Sequence, residues 1–197
     1  MAATLQIPIF PLGTVLYPEG VLPLRIFEQR YLDMTKVCIR DESPFGVCLI
    51  RDGLEVGAPA IPCDTGCTAQ IKQWDMPHLG LFHLETRGAA VFRILEQWHT
   101  KNGLIQAQVE VCDAPAPLPL PDEFGELVEL LQKIMRKVGA ERFAAPVRLD
   151  DAQWVGFRLA EILPLEVPVK QQLLEARDPL ATLQEVRAFL ETRDVVL

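Results

Sequence analysis

The chain has 197 residues, 49% hydrophobic and 23% charged, with a net charge of −8. That length suits one large domain or two small ones and allows a sizeable core. The charge divides evenly, −4 over residues 1–118 (nine Lys/Arg, thirteen Asp/Glu) and −4 over 119–197 (ten and fourteen); without a basic stripe, nucleic acid is not expected as a partner.

Nothing before Pro8 resembles a charged n-region followed by an apolar h-region, which argues against a signal peptide. No apolar run approaches the roughly 20 residues of a membrane span. Five cysteines, an odd number, read as reduced thiols in such a chain, and a cytoplasmic location is expected. The first apolar stretch, Ile7-Pro-Ile-Phe-Pro-Leu-Gly-Thr-Val-Leu-Tyr-Pro18, is broken by prolines. Each lacks an N–H and fixes φ, which predicts short extended pieces rather than an uninterrupted central strand. Those pieces are Leu5–Phe10 and Val21–Ile26, with a turn at Tyr17-Pro18-Glu19-Gly20 between them.

Phe27, Tyr31, Met34 and Cys38 recur at helical spacing and predict a helix near 27–40. Strands are predicted at Phe45–Arg51, Thr65–Trp74, Leu79–Thr86, Ala89–Trp98 and Leu104–Val111, with Arg87-Gly88 as a tight turn. Short strands separated by turn signals suggest a small barrel or a sandwich. Ala114-Pro-Ala-Pro-Leu-Pro-Leu-Pro121 then reads as an extended connector. Beyond it the period becomes helical. One stripe runs from Phe124 to Val138 and a second carries Val155, Leu159, Ile162 and Leu163. A third helix starts at Pro168. A fourth follows Asp178-Pro179, a capping carboxylate before a first-turn proline.

Several chemistries are missing. None of the twelve glycines is followed by Lys, so no phosphate-binding Gly-x-x-x-x-Gly-Lys loop exists, and no Gly-x-Gly-x-x-Gly occurs. The single serine, Ser43, sits between Glu42 and Pro44 without a nucleophile elbow. Cys63-Asp-Thr-Gly-Cys67 offers two thiolates to a zinc, but His78 and His83 do not complete a ligand pattern, so no metal is expected; reduced cysteines behave as small hydrophobes. No cofactor is expected either.

Ile7-Pro-Ile-Phe-Pro-Leu, Val15-Leu-Tyr-Pro18 and Leu22-Pro-Leu-Arg-Ile-Phe-Glu-Gln-Arg-Tyr31 resemble the N-terminal domain of Lon-type ATP-dependent proteases. The resemblance is closer to stand-alone Lon-domain proteins and to Lon domains attached to ubiquitin-ligase components. Tyr17 stands where that pattern has Phe, and Glu19 sits between Pro18 and Gly20. Ala160-Glu-Ile-Leu-Pro-Leu165 and Lys170-Gln-Gln-Leu-Leu-Glu175 resemble the family's tail.

The resemblance implies an α+β fold, a PUA-like twisted β-barrel subdomain followed by a helical bundle. The expected divisions are 1–113, a proline-rich linker at 114–121, and about four helices over 122–197. It also implies a non-catalytic protein- or polypeptide-binding module without ATPase or peptidase modules. The alternatives are an RNA-binding PUA-like protein, or an unrecognised enzyme acting through Cys63, Cys67 or a carboxylate pair. Trp74, Met76 and His78, read as one proline-containing loop, and Trp98, at a strand end, are the candidate partner contacts. Pro23, Leu24, Ile26, Phe27 and Tyr31 are expected to be core, whereas Arg25 and Arg30 stay open, each free to pair with an acidic neighbour such as Glu28 or Asp33 or to face a ligand. The partner's identity and the oligomeric state stay open.

Overall fold

The structure, a computed structural model, describes residues 3–58 and 60–192. The chain divides into two compact units, Met1–Ala114 and Pro115–Leu197, and the fold is mixed α+β, with six strands and five α-helices among the described residues.

In the first unit the strands are β1 (Thr4–Leu12), β2 (Val21–Ile26), β3 (Phe45–Asp52), β4 (Ile61–His78), β5 (Leu81–His99) and β6 (Ile105–Val111), with α1 (Gln29–Arg40) between β2 and β3. The sheet order is β2-β5-β4-β3-β1-β6, and β6 also pairs with β5. The pairing β1–β3–β4–β5–β6–β1 therefore closes on itself, with β2 appended along the first half of β5. Among the described residues only β1 and β3 run parallel; α1 lies on the crossover that such a pair requires.

β1 is one unbroken strand lying between β3 and β6, contrary to what its prolines suggest. It pairs with β6 over Thr4–Ile9 and with β3 over Ile9–Leu12. Pro8 and Pro11 thus fall where the strand has a single neighbour, and the missing N–H can face the unpaired side. Arg87-Gly88 is likewise no turn: β5 runs straight through it.

Alternation buries two apolar clusters. One gathers Phe10, Leu24, Ile26, Tyr31, Met34, Phe45, Phe82 and Leu84 around α1. The other, on β1, β3, β5 and β6, holds Ile7, Ile9, Cys48, Phe92, Ala107 and Val109. Phe92 fills this second cluster so closely that a Cβ at Gly46 or at Gly66 would stand 2.7 Å from its ring. Phe27 departs from expectation. It precedes the helix and is 56% exposed, while Tyr31 stacks on Phe10 with ring centres 4.2 Å apart. Pro23 is exposed as well.

The second unit contains α2 (Gly125–Val138), α3 (Ala152–Ile162), α4 (Val167–Ala176) and α5 (Pro179–Glu191). Asp151 caps α3 by accepting from Trp154 N–H, and Asp178 caps α5 by accepting from Leu180 and Ala181. The end of the proline-rich stretch is held rather than free: Leu120 N–H donates to Asp150 O and Ala152 N–H to Leu118 O. Phe124, Leu127, Leu131, Val155, Leu159, Leu183 and Val186 are buried. α3 packs on both α2 and α5.

Candidate functional site

Trp74, Met76 and His78 lie on β4 rather than in a loop. Along β4 the odd residues Cys67 and Ala69 point into the core and Ile71 packs against it. An irregularity between Ile71 and Gln73 then changes the phase. A bulge of this kind turns the following side chains over. Trp74 comes to stand opposite Leu84, a core residue, with its ring edge-on to Phe82 at 5.8 Å. The strand outruns its cover there, which leaves Trp74 53% exposed and Met76 exposed beside it. His78 faces Leu81 at the hairpin end. Trp98 is at the opposite end of β5, paired with Gln106, and is not brought together with the other three.

Trp74 borders a cavity of about 430 Å³ between β4 and the end of α1, lined also by Cys38, Ile39, Glu42, Ser43, Ile71 and Lys72. A second cavity, about 460 Å³, adjoins it at Cys38 and Ser43 and lies on the β1 and β6 side of the helix. Its walls are mainly apolar: Leu5, Ile7, Pro8, Met34, Val37 and Leu104, with Asp33 and Gln106 among the polar groups. Leu5 and Val37 are both exposed. The two grooves flank the C-terminal half of α1.

Sequence reasoning missed Leu5, Val37 and Leu104. Val37 sits between Met34 and Cys38 on the helical stripe, so a wider stripe than the core needs was the available signal. Burial pushes the Cys38 thiol above its ordinary range, more than its hydrogen bond to Ser43 lowers it. That keeps it protonated and weakly nucleophilic. Cys63 and Cys67 stand on β4, and no group of three or more His, Cys, Asp or Glu could hold a metal ion among the described residues. Arg30 pairs with Glu28 at 2.9 Å.

Residues 6–192 match the ATP-dependent protease La (LON) substrate-binding domain. The chain belongs to this Lon family. Lon protease 2 of Herpetosiphon aurantiacus is 28% identical over 211 residues, covering all of this chain and 24% of that protein. A Lon protease of Anaeromyxobacter dehalogenans is 28% identical over 200 residues, covering 97% and 24%. The chain therefore spans about a quarter of these Lon proteases. Among solved structures, a Lon N-terminal domain protein from Xanthomonas campestris is 35% identical with a TM-score of 0.77, over 93% of this chain and 98% of that one. The N-terminal domain of the Mycobacterium avium complex Lon protease shares the fold, with a TM-score of 0.60 at 19% identity over 98% and 100% of the two chains. Among the described residues of this Lon-family chain, no helix is long and apolar enough to cross a membrane.

Proposed function

We propose that this chain is a non-catalytic polypeptide-binding module that holds an apolar segment of its partner beside α1. The observation that carries the reading is the 460 Å³ groove, whose apolar walls include two exposed side chains, Leu5 and Val37. Exposed apolar surface in a concave setting favours binding, because its burial by a partner releases ordered water. Its size suits one or two large side chains. Membership of a substrate-binding domain family supports a polypeptide as the occupant. No histidine lines either groove among the described residues, and Ser43 and Cys38 therefore have no imidazole base beside them there.

The test is fluorescence anisotropy with a labelled, permanently unfolded polypeptide such as reduced, carboxymethylated α-lactalbumin. Saturable binding is expected, weakened at least about tenfold by Val37→Asp, since a carboxylate must be desolvated on closure. Absence of binding, or binding by Val37→Asp and Leu5→Asp as tight as that of wild type, rejects the groove.

A further inference from the structure

We propose that residues 53–58 are a latched strap over a second apolar pocket, and that release of the strap enlarges the surface a polypeptide can use. This deepens, and rests on, the polypeptide-binding reading above. The segment joins β3 to β4 and carries Leu54, 76% exposed, and Val56, 55% exposed, two apolar side chains that the core does not claim. Gly53 and Gly57 bracket them, both with φ of 100°, a conformation that glycine adopts without a Cβ penalty.

Among the described residues, two polar contacts hold the segment down. Gly13 N–H donates to Glu55 Oε1 at 2.5 Å. Arg30 Nη2 donates to Gly57 O at 3.0 Å. Arg30 is only 7% exposed, its guanidinium lying 4.7 Å from the centre of the Tyr31 ring and ion-paired with Glu28. Beneath the segment, Glu55 and Val56 form one wall of a cavity of about 150 Å³ whose other walls include Phe10, Leu12, Leu24 and Tyr31. The same cavity borders residues 23–26 of β2, a strand that among the described residues pairs with β5 alone and so leaves one backbone edge unpaired.

Lifting the strap would place an apolar floor next to an open strand edge. An extended polypeptide uses that combination, hydrogen-bonding along the edge and seating a side chain in the pocket. Among the described residues, the movement breaks two polar contacts and no strand pairing. It therefore belongs to local opening, well below the free energy of global unfolding.

The test compares wild type with Glu55→Ala, which leaves every buried side chain in place, and with Arg30→Met, which keeps length and apolar packing but removes the latch. Hydrogen exchange of the Gly13 amide, which donates to Glu55, is expected to speed up roughly tenfold or more in each variant, in keeping with local opening. Affinity for reduced, carboxymethylated α-lactalbumin is expected to rise with it. Fluorescence of added ANS, which needs no polypeptide, is also expected to rise. Faster exchange with unchanged ANS fluorescence and unchanged affinity overturns the strap, as does unchanged Gly13 exchange in Arg30→Met, where the Glu55 carboxylate is still present. A gain in exchange and ANS fluorescence with no polypeptide binding by any variant supports the strap and overturns only the polypeptide reading.

Discussion

Gly88, in the middle of β5, lies so close to Tyr17 that a Cβ there would stand 2.1 Å from the Tyr17 carbonyl oxygen. Two backbone bonds join the same places: Glu19 N–H donates to Gly88 O at 2.8 Å and Gly88 N–H to Gly20 O at 2.9 Å. The Tyr17–Gly20 turn is thereby clamped to the longest strand, with the Arg87–Glu19 pair at 3.3 Å alongside. Gly88→Ala forces either the turn or the strand to move. We expect a loss of about 2–3 kcal/mol of stability, the cost of overpacking a closed site, read as a lower urea midpoint with an unchanged slope.

Adjacent residues in the opening motif should differ sharply. Ile26 is 1% exposed and packs with Phe82 and Leu84, whereas Phe27 is 56% exposed. Ile26→Ala is expected to cost about 2–5 kcal/mol, from lost transfer free energy plus the cavity left behind. Phe27→Ala should stay within about 0.5 kcal/mol, as surface substitutions do. Equal losses in urea titrations of the two variants would contradict the side-chain placement.

Cys48 links stability to pH. Its thiol is fully enclosed, and burial, aided by Cys63, Cys67 and Asp64, pushes its pKa well above the ordinary value of 9.0. The unfolded chain loses that proton first, so it binds fewer protons than the fold, and stability falls as pH rises through the unfolded value. Wild type should lose more stability than Cys48→Ala between about pH 8 and pH 10. Parallel stability curves for the two proteins would show that the thiol titrates freely.

Trp74, which lines the cavity adjoining the proposed groove, should report on a polypeptide that reaches from the groove into it. A Trp-free unfolded polypeptide is expected to shift the emission of the wild-type protein to the blue as the half-exposed indole is covered. Trp74→Phe should abolish the shift, while Trp98→Phe, altered at the far end of β5, should retain it. A shift that survives Trp74→Phe and is lost in Trp98→Phe would move the contact surface to the other end of the strand.

The local signals in the chain were readable where neighbours in sequence settle the outcome. Val21–Ile26 forms as predicted, because its alternation and its turn residues act within a few positions. Asp151 and Asp178 cap the helices they precede, since a cap needs only the amides two or three residues on. The sequence offers Trp74 as a candidate contact in a proline-containing loop, whereas the structure carries β4 on through Pro77 to His78. In the structure Pro77 lies beside the β4–β5 turn, where the ladder is already irregular.

The opening motif, then, is enough to place the chain in its family and to mark the short strand and the helix that follow it. Its turn residues and helical spacing act within a few positions, and such short-range terms are written directly in the order of amino acids. What only the tertiary structure decided is which of them are covered. Phe27 and Ile26 are equally apolar, yet β5 supplies a wall for one and nothing for the other. The glycine read as a turn became the seat of Tyr17, and the groove at Leu5 and Val37 exists because β1, β6 and α1 converge there. Burial is a property of partners brought from distant positions, and a single stretch of sequence does not contain them.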